Sequence, residues 1–403
     1  MSHSPAGPVA IAGAGIGGLT AALALARRGF EVTVFERADV LEAAGAGIQL
    51  TPNALNVLFG LGLGPALEAP MVSVDSIFVR RGSNGRLVAR LPLEAFAHRW
   101  GTPYGVIHRA DLQAALLGAV EAEAGITLHY GDAIDAAEQD GSGVGLRFAS
   151  GRRERMTALI GADGLWSSVR RSLGRIEPPR FAGRRAWRTV IAMTDAPPLL
   201  QGRATGLWLG AHAHLVHYPV RGGSQLNLVA VTQDGDSAPG WSTPQDTRRL
   251  RPHFAGWDPR IRALLAACPD WRTWPLFDRA ADAAMAEGRI ALLGDAAHPM
   301  LPFAAQGGAA AIEDAAVLAL ALAAPGEDDI PARLALYSAR RLPRVTRLQA
   351  EARSNGERYH WSWPFSAARD LGLAAMGGRK LVERYDWIYG WTPTAGERIA
   401  QGA

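Results

Sequence analysis

The 403-residue sequence predicts an α/β protein: a Rossmann-type dinucleotide-binding domain, a β-sheet region inserted into it, and helices at the C-terminal end. Three observations predict this. A glycine-rich turn near the N-terminus joins a short apolar run to a helical pattern. β-type runs crowd residues 181–232 in the middle of the chain. A second short apolar run, "RIALLG", then returns before a stretch that is helical to the end.

The opening unit is "PVAIAGAGIGGLTAALALARRGFEVTVFERAD". Val9 to Ala12 read as a strand, and Gly13-Ala14-Gly15-Ile16-Gly17-Gly18 as a turn. Leu19 to Arg28 read as a helix with Leu19, Ala22, Leu23 and Ala26 on one face. Gly29 stops the helix, and Glu31 to Phe35 form the second strand. Glycines 13, 15 and 18 permit a tight turn, close approach of a pyrophosphate to backbone N–H groups, and helix-on-strand packing. Glu36, eighteen residues past Gly18, is placed to accept hydrogen bonds from an adenosine ribose. Strand, turn, helix, strand and acid in this order bind an adenine dinucleotide, leaving NAD and FAD both open. A carboxylate at Glu36 disfavours a 2′-phosphate there, an argument that the neighbouring Arg37 weakens.

Composition narrows the partners. With 48% hydrophobic and 20% charged residues, the chain can bury a large core in two domains or one composite domain. The net charge of +4 is scattered, without a long basic run, which argues against nucleic acid and for anionic small molecules. No run approaches the roughly twenty apolar residues that span a bilayer. Cys268 is the single cysteine, so intrachain disulfides and cysteine metal sites are excluded, and a reducing cytoplasm fits.

Further along, Gly45–Gly47 offer another place for close backbone approach, and Thr51 or Asn53 caps a helix beginning near Pro52. "VDSIFVRRGSNGRLVARL" reads as a hairpin turning at Asn84–Gly85. "HRADLQAALLGAVEAEAG" is a helix entered through Arg109. "ALIGADGLWSSVRRSLG" is a buried strand, a turn at Asp163–Gly164 and a helix. In the run "TGLWLGAHAHLVHYPV", strand alternation puts His212, His214, Val216 and Tyr218 on one face and Ala213, Leu215 and His217 on the other. Residues 244–268 read as helical. In "GDAAHPMLPFAAQGGAAAIEDA", Asp295 follows the returning strand, and Gly307–Gly308 open a helix whose first turn is nearly bare of side chains.

"GAGIGG" with Glu36, "GADGLWSSVR" and "GDAAHPMLPFAAQGGAAAIEDA" stand in fixed order, accompanied by "HRADL", "TPNAL" and a terminal "RYDWIYGW". Together they resemble the single-component aromatic-ring hydroxylases, flavoprotein monooxygenases of the p-hydroxybenzoate hydroxylase fold. Within that family the chain looks most like the salicylate, 3-hydroxybenzoate and 6-hydroxynicotinate hydroxylase branch. The resemblance implies FAD, bound extended, with its adenine end on Gly13, Gly15, Ile16, Gly17, Gly18, Glu36 and Arg37. It further implies contacts from Gly47, Ile48, Arg109, Asp163 (supported by Arg170) and Asp295. The loop Pro302 to Gly308, including Gln306, would cross the isoalloxazine, with the helix start at Gly307, Gly308 and Ala309 aimed at the ring. Relatives commonly show Ala-Asn or Ala-Gly after "QG", where Gly308 and Ala309 stand here.

On the same footing the resemblance implies a discontinuous FAD-binding domain (1–71, 102–176 and 286–355), a substrate domain (72–101 and 177–285) and a C-terminal helical segment (356–403). Its chemistry needs no metal: NADH or NADPH reduces the flavin, and O2 forms a flavin C4a-hydroperoxide that hydroxylates a small phenolic or hydroxypyridine carboxylic acid. His214 is the candidate base, since its His-x-x-x-Tyr-Pro pattern resembles that of the branch and histidine titrates near neutrality. The plainer reading of His214 is a satisfied histidine within the sheet. Tyr218 is the candidate to orient base or substrate. Gln49, Arg188, Pro302 and Phe303 are candidate substrate contacts, while His298, His212 and His217 read as structural. Alternatives are oxidation of a larger aromatic metabolite, a plain NAD dehydrogenase, or a dinucleotide-binding redox sensor. Monomer and homodimer are both compatible with the sequence.

Overall fold

The computed structural model describes residues 7–41, 47–235, 243–244, 247–268, 270–325 and 329–394. In it, Val9–Ala12 is a central strand with all four side chains buried, as expected where helices cover both faces of a parallel sheet. Val32–Phe35 and then Ile126–His129 lie on one side of it, and Ala158–Gly161 and then Ile290–Leu292 on the other, all parallel. Ala286–Glu287 adds an antiparallel edge. Strand order therefore reverses between Val9–Ala12 and Ala158–Gly161. At such a switch point an open α/β sheet leaves a crevice for a ligand beyond its carboxyl ends.

Apolar periodicity starts the first helix at Leu19, but the structure starts it at Ile16 and ends it at Ala26. Gly17 and Gly18 thus form its first turn. Periodicity cannot register them because they have no side chain to repeat.

A second sheet of eight strands draws on two stretches of chain. Ser76–Arg81 and Leu87–Pro92 come from the first; the rest lie between Arg180 and Asp278. From one edge inward the order is Thr243–Pro244, Arg272–Asp278, Arg180–Ala192, Gln225–Gln233, Ala213–Val220, Ala204–Gly210, Ser76–Arg81 and Leu87–Pro92. The run read as one β-segment through His212 is in fact a hairpin. Gly210 pairs with Ala213, and His212 sits in the two-residue turn with φ of 64°. His212 therefore leaves the strand face assigned to it, since alternation holds only within a strand. From Ala213 onward it does hold: Leu215 packs with Trp187 and Trp208, whereas Tyr218 belongs to the cluster on the opposite face.

Residues 244–268 are less helical than their composition suggests. Two 3₁₀ turns, Thr247–Arg249 and Arg251–Phe254, precede one α-helix, Pro259–Ala267, capped by the Asp258 side chain. Pro252 and Pro259 each lack the N–H that a continuous helix would need at their positions.

The helices Gly307–Leu322, Ile330–Tyr359, Phe365–Glu383 and Asp386–Tyr389 complete the described chain. Glu313 and Asp314 interrupt the apolar pattern of the first, yet both are fully buried. Arg341 bridges them, with Nη1 2.8 Å from Glu313 Oε2 and Nε 2.6 Å from Asp314 Oδ1. Arg344 donates to both Glu313 oxygens at 2.6 Å, and Asn53 Nδ2 adds a bond to Oε1. Asp314 Oδ2 accepts from His298 at 2.6 Å and from Gly294 N at 2.9 Å. Trp391 lies against both guanidiniums, 5.3 and 5.0 Å from ring centre to carbon. Two carboxylates and two guanidiniums balance, and the remaining lone pairs are bonded, the condition under which buried charge is tolerated.

Removing one partner leaves the others charged in a low dielectric, so Arg341→Met is expected to cost about 3–5 kcal/mol in urea unfolding. The Asp314 carboxyl is held down at about 2, its burial outweighed by His298, Arg341 and its hydrogen bonds. A depressed folded-state value means that its stabilisation is present above the ordinary aspartate range and is lost as pH falls toward 2. Melting curves from pH 5 down to pH 2 should show this loss in the native protein and a smaller one in Asp314→Asn.

Candidate active site

The glycines of the first turn are required for different reasons. Gly13 has φ of 101°, and a Cβ there would lie 2.6 Å from Ala162 O. At Gly18 a Cβ would lie 1.9 Å from Gly13 O, and at Gly17 2.6 Å from a Leu293 methyl. Gly15 differs: its backbone is ordinary (φ −72°, ψ 178°), and among the described residues nothing lies within 4 Å of where a Cβ would stand. The fold needs the first three bare, while the space at Gly15 is open. Ile16 beside it is buried.

Glu36, at the end of the second strand, accepts from Ala14 N at 2.8 Å and from Ala38 N at 3.0 Å. The acid thus braces the turn, and Arg37 is exposed. Asp163 Oδ2 accepts from Ser168 N at 2.7 Å, Ser168 Oγ at 3.1 Å and Val169 N at 3.2 Å. Its Oδ1 is buried without a partner among the described residues. Arg170 does not support Asp163 but forms a two-point pair with Asp282. The Arg170 side chain leaves its short helix toward that acid, more than a hundred residues away in sequence and invisible to local reading.

Arg109 opens the helix Arg109–Glu121. Asp295 lies in the turn Gly294–Ala296, accessible yet enclosed enough that burial raises its carboxyl, with His298 and Arg109 pulling it back down. Pro302–Ala304 is a single 3₁₀ turn, Ala305 takes φ of 54°, and the helix begins at Gly307. Gln306 offers only its backbone to a ligand. Its side-chain nitrogen is bonded to Thr51 Oγ1 and its oxygen to Asn53 Nδ2, both at 3.1 Å. Among the described residues no side chain caps the Gly307 helix, so its first-turn N–H groups face whatever lies beyond. A Cβ at Gly307 would meet only a Met300 carbon at an ordinary 3.7 Å, whereas at Gly308 it would lie 2.6 Å from Ile48 Cδ1. Ala309 is fully buried.

Gly47–Leu50 pairs with Gly105–His108 and carries Gly47, Ile48 and Gln49 past this helix start; Gly45 lies outside the described residues. A Cβ at Gly47 would lie 2.3 Å from the Tyr218 ring, and Gly47 N donates to Asn227 Oδ1 at 2.8 Å. Gln49 accepts a hydrogen bond from Tyr104.

His214 is buried on the sheet, its ring centre 5.4 Å from those of Phe303 and Tyr359 and 4.8 Å from that of His360. Burial first, and the Arg184 charge second, push its imidazole down to about 3. Burial raises the phenol of Tyr218, on the same strand, in spite of the Arg188 charge. Four residues of strand separate His214 from Tyr218, roughly 13 Å. The two therefore flank opposite ends of one surface instead of touching. Arg188 stacks over Trp274 at 5.0 Å, with Nε buried and unpartnered. The His217 imidazole is likewise driven to about 3 by burial, and its ring fills the space left by Gly206.

Sequence reasoning missed Tyr104, Asn227, Tyr359 and His360. Asn227 left a signal, a polar residue on the inward face of "QLNLVAV". His360 left none, because only folding brings the end of the long helix to the sheet.

A family model described as "FAD binding domain" matches residues 7–352. The chain belongs to the FAD-binding domain family. It is 36% identical over 394 residues to a 3-hydroxybenzoate 6-hydroxylase from Polaromonas naphthalenivorans, covering 97% of this chain and 98% of that protein. A 3-amino-4-hydroxybenzoate 2-monooxygenase from Streptomyces platensis is 38% identical, covering 97% of each. A 6-hydroxynicotinate 3-monooxygenase from Bordetella bronchiseptica is 34% identical over 86% of this chain and 91% of its own. A salicylate hydroxylase solved with its substrate superposes with a TM-score of 0.84 at 28% identity, over 99% of this chain and 98% of that one. The resemblance read from the motifs is thereby confirmed, and FAD is the cofactor.

The residues fit FAD on independent grounds. Open space at Gly15, an unpartnered Asp163 oxygen and an uncapped helix start at Gly307 are features that the protein's own contacts do not account for. Gly15→Val should therefore leave the melting of the apoprotein within about 0.5 kcal/mol. Its FAD affinity should fall at least tenfold, about 1.4 kcal/mol. Gly18→Ala should destabilise the apoprotein itself. Flavin absorbance after desalting and apoprotein melting measure the two effects; wild-type FAD retention in Gly15→Val would place the pyrophosphate elsewhere.

Proposed function

We propose that the protein hydroxylates a small phenolic or hydroxypyridine carboxylic acid, using NADH or NADPH and O2. The observation that carries this reading is His214: buried, neutral, and packed on the Pro302–Ala304 turn that leads into the uncapped helix. Bound FAD would supply the redox chemistry, hydride acceptance from the nicotinamide and transfer of one oxygen atom of O2 to the substrate ring, the other leaving as water. The remaining work falls to the chain. The glycine turn, Arg109, Asp163 and Asp295 hold the cofactor's tail, and the helix N-terminus at Gly307 stabilises negative charge on its ring. Phe303 and Tyr359 exclude water from the space beside His214.

His214, its lone pair free throughout the physiological range, accepts a hydrogen bond from the substrate hydroxyl and polarises that O–H, which makes the ring carbon a better nucleophile. Arg188 supplies positive charge for a carboxylate, and Tyr218 and Gln49 border the other end. The division into FAD-binding (1–71, 102–176, 286–355), substrate (72–101, 177–285) and C-terminal helical (356–403) parts belongs to this reading. So does a cytoplasmic setting as monomer or homodimer; no helix among the described residues is long and apolar enough to cross a membrane.

Product analysis across hydroxybenzoates and hydroxynicotinates with the purified yellow protein tests the proposal. NAD(P)H oxidation that no such acid stimulates would refute it. His214→Ala should keep FAD, lower the hydroxylation rate roughly 10²–10⁴-fold and divert reducing equivalents to peroxide. Because His214 is already deprotonated well below neutrality, the pH profile of kcat/KM should show no inflection near the ordinary histidine value of about 6.5.

A further inference from the structure

His360 lies outside every motif of the family and outside the residues that border the cofactor, yet it is the sole hydrogen-bonding partner found for the His214 ring among the described residues. Its Nε2 is 2.8 Å from His214 Nδ1 and 3.2 Å from Arg184 Nη1. A guanidinium can only donate. His360 Nε2 must therefore be the unprotonated, accepting nitrogen, with the proton of the neutral ring on Nδ1. The atom facing it, His214 Nδ1, must then carry a hydrogen and donate. In a neutral imidazole one nitrogen bears the hydrogen and the other the lone pair. The lone pair of His214 is consequently forced onto Nε2.

We propose that His360, itself set by Arg184, is a positioning residue that fixes His214 in its Nδ1–H tautomer, leaving Nε2 as the acceptor for the substrate hydroxyl. This rests on the reading of His214 as the group that accepts the hydrogen bond of the substrate hydroxyl. The cluster is built to hold the arrangement. His360 is buried, and its carbonyl accepts from His212 N in the turn just before His214. Tyr359 packs against the His214 ring from the same helix end, and Arg369 Nη1 donates to the Tyr359 carbonyl at 3.1 Å. The charged and titratable groups facing the pair are Arg184 from the sheet, with Glu357 acting on it, and Tyr359 from the long helix. Phe303 on the remaining side adds an apolar wall. Among the described residues no carboxylate contacts either ring, so the pair is neutral, and the arrangement leaves His360 Nδ1 buried without a partner.

The tautomer is read directly by imidazole 15N spectra of the FAD-loaded protein, with the His214 signals assigned by their absence in His214→Ala. The expected wild-type spectrum has His214 protonated on Nδ1 alone. His360→Leu should give a tautomer mixture and a hydroxylation kcat lowered about 10- to 100-fold, the range seen when partners orienting metal-bound histidines are removed. KM should change little, and more NAD(P)H should be diverted to peroxide. His360→Gln, whose side-chain oxygen can accept from both Arg184 and His214, should restore the Nδ1–H tautomer and most of the rate. Wild-type His214 protonated on Nε2 would overturn the proposal, even if His360→Leu fails to fold. Wild-type kcat and coupling in a folded His360→Leu would also overturn it. If His214→Ala itself hydroxylates normally, the underlying reading fails instead; if His214→Ala is impaired and His360→Leu is not, only the positioning role fails.

Discussion

The arrangement depends on a balanced cluster of charge in the interior, Glu313 and Asp314 against Arg341 and Arg344. It sits within two turns of the helix start at Gly307, proposed to face the cofactor. Through Gly294 N and His298, Asp314 holds the turn that carries Asp295. Through Asn53, Glu313 reaches the residue that also locks Gln306. Through Arg344 and the carbonyls of Trp387 and Ile388, it fastens the last described helix to the core. Buried ion groups rarely add net stability over an apolar core of the same volume. What this cluster offers instead is direction: its hydrogen bonds fix the turn that carries Asp295, the residue that locks Gln306, and the last described helix.

How far the sequence reveals this depends on the range of the interaction. The first βαβ unit is legible almost residue by residue, because the positive φ of Gly13 and the reasons for Gly18 and Glu36 lie within one turn and one strand. The hairpin at Asn84–Gly85 is legible for the same reason. The turn at His212 is not, because neither Ala211 nor His212 is a residue that normally marks a turn. Glu313 and Asp314 are visible as polar residues in an apolar helix, but their partners lie some thirty residues further on and in the second helix of the chain. Gln306 shows the opposite failure: its place in the motif is right, while its side chain is held by Thr51 and Asn53, which no linear pattern connects to it.

The two ends of the sheet surface carry different electrostatics. At one end desolvation keeps His214 neutral, and at the other Tyr218 keeps its proton while Arg188 keeps an unpaired donor. Between them lie apolar strand residues such as Val216 and Val229. An aromatic acid has the same pattern, an ionised group and a hydroxyl separated by an apolar ring, and this correspondence ties the fold to its proposed substrate class.

The charge cluster also bears on how the protein is made. A ribosome releases Glu313 and Asp314 before Arg341 and Arg344, and the backbone carbonyls of Trp387 and Ile388 that complete the arginine shell come later still. During that interval the helix proposed to face the cofactor carries two acids whose arginine partners have not yet been made, so burying them is costly in spite of its apolar surface. The nucleotide half of the site is encoded first, but the ring half waits for nearly the whole chain. Completion of the charge cluster beside the proposed ring site therefore waits for the helices that carry Arg341, Arg344, Trp387 and Ile388.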